Sequence, residues 1–193
     1  MTFVNHIDRI ISKAYSQLGF ISRVCNTFKN IGCIKILYFC FVRTILEYAC
    51  SIWAPVYNVH IDRIESLQKK FIKLLNFKSY RTCPTYVESC KHYQIESLSQ
   101  RRKQYDIILL HDIVSGKIDC SELLSQIEFR IPSRRSRHIK PLFHTPRVKT
   151  NYARNSVLCR IVNTYNTQYP NLDLFHLRTK TALKKEIKMM HFS

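Results

Sequence analysis

A chain of 193 residues is long enough to bury one core or two small ones, and its 31 Lys and Arg against 13 Asp and Glu leave a net charge of +18. So large an excess points to a polyanionic partner, nucleic acid ahead of an anionic membrane surface. Three glycines leave no Walker loop and no dinucleotide-binding glycine fingerprint, which argues against a nucleotide-hydrolysing machine.

The eight cysteines contain no CxxC pair and the N-terminus has no uninterrupted apolar core, so the thiols read as reduced and the protein as intracellular, nuclear or cytoplasmic. Residues 4–21 place Val4, Ile7, Ile10, Ile11, Ala14, Leu18 and Ile21 three and four apart, which predicts a helix with Arg9 and Lys13 on its outer side. The stretch LYFCFVRTILEYACSIWAP belongs to a second helix, predicted over residues 31–52, too long for a strand and stopped at WAP by proline. A membrane span needs about 20 apolar residues without central charges, and Arg43 and Glu47 stand in the middle of this one. These two are one turn apart with Arg first, the weaker order for helix support. Two readings follow: a charge pair satisfied within a helical bundle, or a phosphate contact made by Arg43. Trp53 reads as a core anchor where this helix ends. A third helix, HIDRIESLQKKFIKLL, lines up Ile61, Ile64, Leu67, Phe71 and Leu75, with Asp62 and Glu65 before Lys69, Lys70 and Lys73, an order that complements the helix dipole.

The polar run KSYRTCPTY reads as a linker, so a three-helix part is expected over residues 1–78 and a second helical module over 79–193. In that module a long helix around IESLSQRRKQYDIILLHDIVSG ends at Gly116. DCSELLSQI reads as a short helix, and IEFRIP alternates like a brief strand before a basic loop or short hairpin over about residues 130–152. ARNSVLCRIVNTYN resumes helix, and DLFHLRTKTALKKEIKMM closes as a basic amphipathic one with Leu177, Leu183 and Ile187 opposite Lys180, Lys184, Lys185 and Lys188. The fold class is therefore mainly α. Cys83, Cys90 and His92 are too loosely spaced for a zinc site, and no metal ligand set is assigned.

The run LYFCFVRTILEYACSIWAPVYNVHIDRIESLQKKF resembles the segment after the catalytic palm in reverse transcriptases of non-long-terminal-repeat (jockey-like) retrotransposons. That pattern reads approximately LYxxxVRPxLEYxxxxWxP, followed by IExxQ and basic residues. Leu37, Tyr38, Val42, Arg43, Leu46, Glu47, Tyr48, Trp53, Pro55, Ile64, Glu65 and Gln68 fall on pattern positions, while Thr44 stands where the family usually has proline. HIDRIISKAYSQLGFISR resembles the family's HI, KA and LGF residues, and SLSQRR its SLxxRR stretch.

The resemblance implies that the first part is a polymerase thumb, a helical bundle that holds primer-template, and that Arg43, Glu47 and Trp53 are structural residues of it. It implies nucleic acid, as RNA-DNA hybrid or DNA duplex, and a palm domain as partners, with no membrane and no small-molecule substrate. RNA-directed DNA polymerisation needs metal-binding aspartates, the family's FADD, and this sequence has no adjacent Asp-Asp. The chain is thus expected to be a non-catalytic fragment or truncated copy of the transposable element, with no cofactor of its own and Mg2+ belonging to the palm. The competing expectation is an element remnant that folds or serves as an interaction module without specific binding.

Between Glu128 and Asp173 stand nine Lys or Arg residues and no acid. Of these, Arg134, Arg135, Arg137, Lys140, Arg147 and Lys149 are the candidate phosphate contacts of a segment that tracks backbone without reading bases. Phe143, Tyr152 and His144 are interleaved, Phe143 reading as core and the others as possible stacking partners. A second candidate set is Arg101, Arg102 and Lys103 in QRRK, for which pairing of Arg102 with Asp106 is an equally good account.

Overall fold

The computed structural model describes residues 3–27, 30–80, 85–131, 141–176 and 179–192. The chain is mainly α-helical and divides into two compact units, Met1–Arg102 and Lys103–Ser193.

In the first unit α1 (Val4–Val24) buries Ile7, Ile10, Ile11, Ala14, Leu18 and Ile21, the stripe expected from their spacing. It packs along α5 (Asn58–Lys78), whose Ile64, Leu67, Phe71, Ile72 and Leu75 are buried in turn. Each such aliphatic side chain contributes about 1.5–3 kcal/mol on leaving water. Between them lies the apolar stretch, and it is not the single helix expected over 31–52. It runs as α2 (Ile31–Tyr38), started by Asn30, whose side chain accepts from the Gly32 N–H at 2.8 Å, then a π-helical turn (Phe39–Arg43) and α3 (Thr44–Glu47). Tyr48 then turns extended, Ala49 takes a left-handed conformation at φ 49°, and α4 (Cys50–Trp53) follows.

The buried positions explain both departures. Ile34, Tyr38, Val42, Leu46 and Cys50 are all buried and all four residues apart. Every fourth residue of an α-helix drifts by about 40°, so such a row would spiral off the core. The wider π turn, bonded to the fifth residue, takes up one residue and returns Val42 and Leu46 to the inner face. At the break, the Trp53 indole N–H donates to the Tyr48 carbonyl at 2.8 Å, which closes the turn and leaves Trp53 buried against the His6 ring, 5.3 Å between centroids.

The first unit extends past the boundary expected at 78 because α6 (Tyr86–Tyr93) packs on α5. Thr85 caps α6 by accepting from the Glu88 N–H at 3.3 Å, and Gln94 ends it at φ 54°, the left-handed position usually given to glycine. The first turn of α7 (Leu98–Val114) also belongs to this unit.

The second unit holds the rest of α7, α8 (Ser121–Ser125), α9 (Asn151–Arg154), α10 (Val157–Gln168) and α11 (Lys180–Phe192). Gly116 follows the end of α7 at φ 70°. Ile107, Leu110, Phe143, Ile161, Tyr165 and Leu183 are central to its core. No strand forms among the described residues: the expected hairpin is closed by a single antiparallel bridge of Phe129 with Phe143, with Arg130 N–H donating to Leu142 O and His144 N–H to Glu128 O, both at 2.8 Å. Phe143 is core, packed edge-on against Tyr165 at 5.2 Å and held by the Asn166 side chain, which donates to its carbonyl at 2.8 Å. The helix expected over 153–166 is interrupted at Asn155 and Ser156, and the last helix begins at Lys180 because Asp173 turns the chain by accepting from the Phe175 and His176 N–H groups. Leu177 lies outside the described residues, while Leu183 and Ile187 are buried.

Candidate nucleic-acid interface

The two charges inside the apolar stretch are held by the fold. Glu47 receives the Arg101 guanidinium through two parallel contacts, Nε to Oε1 and Nη2 to Oε2, the latter at 2.8 Å. Arg43 Nε stands 3.5 Å from the same Oε1 and its guanidinium carbon lies 4.0 Å above the Phe39 ring. Arg101 also reaches Glu96 at 3.5 Å, so a side chain expected to bind phosphate is directed onto two carboxylates of its own unit.

Other residues of the quoted pattern converge beside this pair. Tyr38 stacks on Phe71 at 3.9 Å and its hydroxyl donates to Gln68 Oε1 at 3.1 Å. The Gln68 amide nitrogen in turn donates to the Tyr86 hydroxyl and the Glu96 carbonyl, both at 2.9 Å. Glu65, buried on α5, accepts from Tyr86 at 2.5 Å and from the N–H groups of Leu98 and Ser99 at 3.4 and 3.3 Å, so its carboxylate seals the start of α7, where the helix dipole favours a negative charge. Burial pushes the phenols of Tyr38 and Tyr86 above the ordinary range, with the Glu65 hydrogen bond adding to the effect at Tyr86. Both stay neutral donors. Each polar group of this network has an internal partner, and together they fix α5 against α6 and the start of α7.

The exposed cations lie elsewhere. Arg102 is buried at 5 % exposure and Lys103 half-buried, whereas Arg147 and Lys149 are exposed, together with Arg130, Arg154 and Tyr152. Arg134, Arg135, Arg137 and Lys140 lie outside the described residues. Arg160 belongs to the second core: its Nε and Nη2 meet the two oxygens of buried Asp106 at 3.0 and 3.2 Å. His144 lies 3.0 Å from Glu128.

A basic face absent from the sequence expectations lies on the first unit. Lys69, Lys70 and Lys73 of α5 are exposed and, among the described residues, have no carboxylate within salt-bridge distance. Lys70 is set 4.4 Å over the Tyr15 ring and Lys69 5.6 Å from that of Tyr86. The hydrogen bond with Ser66, together with the charges of Lys70 and Arg63, holds the Tyr15 phenol below its ordinary value. The unit has 15 Lys and Arg against 6 Asp and Glu, and those acids go largely to arginines and backbone: Asp8 to Arg63, Glu47 and Glu96 to Arg101, Glu65 to the start of α7. The uncompensated charge is therefore carried by the lysines together with exposed Arg9 and Arg23 of α1. Positions 66, 70 and 73 recur at four and three, a signal present in the sequence but read there only as charge order along the dipole.

No helix among the described residues is long and apolar enough to cross a membrane. Comparison of the chain with protein-family models, curated proteins and solved structures gives no match.

Proposed function

We propose that this chain is the thumb and following region of a non-long-terminal-repeat, jockey-like retrotransposon reverse transcriptase, and that it grips primer-template nucleic acid without polymerising it. The partner is an RNA-DNA hybrid or DNA duplex, met inside the cell and held through Lys and Arg contacts to phosphate, while a palm domain supplies the aspartates and their Mg2+. The observation that carries the reading is the distribution of charge: carboxylates are consumed by internal pairs, and exposed Arg130, Arg147, Lys149 and Arg154 in one unit and α5 lysines in the other are left to face a polyanion.

The test is affinity of the purified chain for RNA-DNA hybrid, duplex DNA and heparin over a salt series. Replacement of Arg134, Arg135 and Arg137 by Ser is measured in parallel. Preference for hybrid over heparin at matched salt is expected, with the salt slope reduced by about 0.9 for each phosphate that the variant no longer neutralises. Equal binding of every polyanion overturns the proposal and leaves an element remnant with nonspecific charge.

A further inference from the structure

We infer that the outward face of α5 and the turn after it form a platform for single-stranded nucleic acid, which shares the α5 lysines with the duplex grip and adds two rings that the grip does not use. It rests on the reading of this chain as a nucleic-acid binder. Positions 66, 70, 73, 77 and 80 follow one another at four, three, four and three residues, which sets Ser66, Lys70, Lys73 and Phe77 on one helical face and Tyr80 just beyond its end. Lys69 flanks the same row. Two kinds of group succeed each other along it: ammonium groups without a carboxylate, then aromatic rings in water. Phe77 is 77 % exposed and Tyr80 99 %.

Rings so placed gain the fold nothing by burial, since the stabilisation of an aromatic side chain comes from the area it removes from water. Tyr80 is held outward by its backbone: it sits at φ 52°, a conformation bulky residues seldom take, in a turn where Ser79 N–H donates to Leu75 O at 2.9 Å and the Ser79 hydroxyl meets the Tyr93 hydroxyl at 2.7 Å. Lys70 to Phe77 is about 10 Å along the helix axis. Phosphates meeting lysines at one end and bases meeting rings at the other is the combination that binds unpaired strands without reading sequence. A duplex hides the faces of its bases and has no use for the two rings. The lysine half complements the charge of a nucleic-acid strand and disfavours a cationic or purely apolar partner.

The full-length chain, a Phe77→Ala/Tyr80→Asn variant and a Lys69→Gln/Lys70→Gln/Lys73→Gln variant are titrated with a short single-stranded pyrimidine oligonucleotide carrying 2-aminopurine and with an RNA-DNA hybrid. Circular dichroism checks folding; asparagine keeps the left-handed turn. The expected result is a roughly tenfold or greater loss of single-strand affinity in the ring variant, with 2-aminopurine quenching abolished and hybrid affinity unchanged. In the lysine variant the single-strand salt slope falls by about 2, at about 0.7 per phosphate. A ring variant that binds and quenches like the parent overturns the platform even where the hybrid still binds. Single-strand binding without hybrid binding upholds the platform and defeats the duplex grip, and a parent that binds neither defeats both.

Discussion

Replacing Arg101 by Ala separates a structural arginine from a phosphate ligand. The Arg101 and Glu47 side chains are 16 % and 10 % exposed, and the pair is bidentate. Removing one partner of a fully buried pair costs about 3–5 kcal/mol, because the other charge is stranded. Here Arg43 remains 3.5 Å from Glu47 and some solvent reaches both groups, which lowers the expected loss to about 2–3 kcal/mol. Trp53, the single tryptophan, is buried in the same unit, so its fluorescence during urea unfolding reports that unit alone. With a urea slope of about 1–2 kcal/mol per M, the midpoint falls by roughly 1–3 M. Arg101→Lys keeps the charge but not the two-pronged contact and falls between. An Arg101→Ala chain that unfolds with the parent while losing affinity for hybrid refutes the structural assignment and returns Arg101 to the binding surface.

Glu65→Ala strands the Tyr86 hydroxyl and two N–H groups of α7, and about 2–4 kcal/mol of stability is lost by the same fluorescence assay, with Glu65→Gln recovering part of it. Burial, aided by the charge of Asp173, pushes the Tyr165 phenol up to about 12. The unfolded chain releases that proton near pH 10 and the folded chain near 12, so this group's contribution is complete below about pH 10 and is lost as pH rises towards about 12. Urea unfolding followed by circular dichroism is expected to show a shallower alkaline decline in Tyr165→Phe than in the parent; identical declines contradict the assignment. Among the described cysteines, exposed Cys33 and Cys40 react first with a thiol reagent, while Cys25, whose thiol burial pushes up, and Cys50 react only as the unit opens, an order peptide mapping after brief labelling reads directly.

Periodicity carried the reading where it was regular. The rows in α1 and α5 alternate at three and four, and both helices stand where that spacing sets them. It failed at residues 31–53, because beyond Gly32 the apolar run has no glycine or proline to punctuate it and the row of buried residues every four looks helical until its drift is counted. The capping pattern of Thr85 and Glu88 marks α6, yet the surrounding polar run reads more readily as linker. At the candidate interface the difficulty is one of pairing. Arg101 and Glu47, like Arg160 and Asp106, are 54 residues apart, so nothing local distinguishes an arginine committed to a carboxylate from one offered to phosphate. The exposed lysines of α5, legible in sequence only as charge order along the dipole, are among the cations that remained once those distant acids were matched.

The carboxylate of Glu65 at the start of α7 has a consequence for motion. Amides in the first turn of a helix have no partner within that helix and usually exchange with solvent first. Leu98, 1 % exposed, and Ser99 donate instead to a residue fixed in the core of α5. Fraying this end means drawing Glu65 out of a network shared with Tyr86, Gln68 and Tyr38. The opening that frees those two hydrogens is therefore the opening of the whole first unit, and they rank among its slowest.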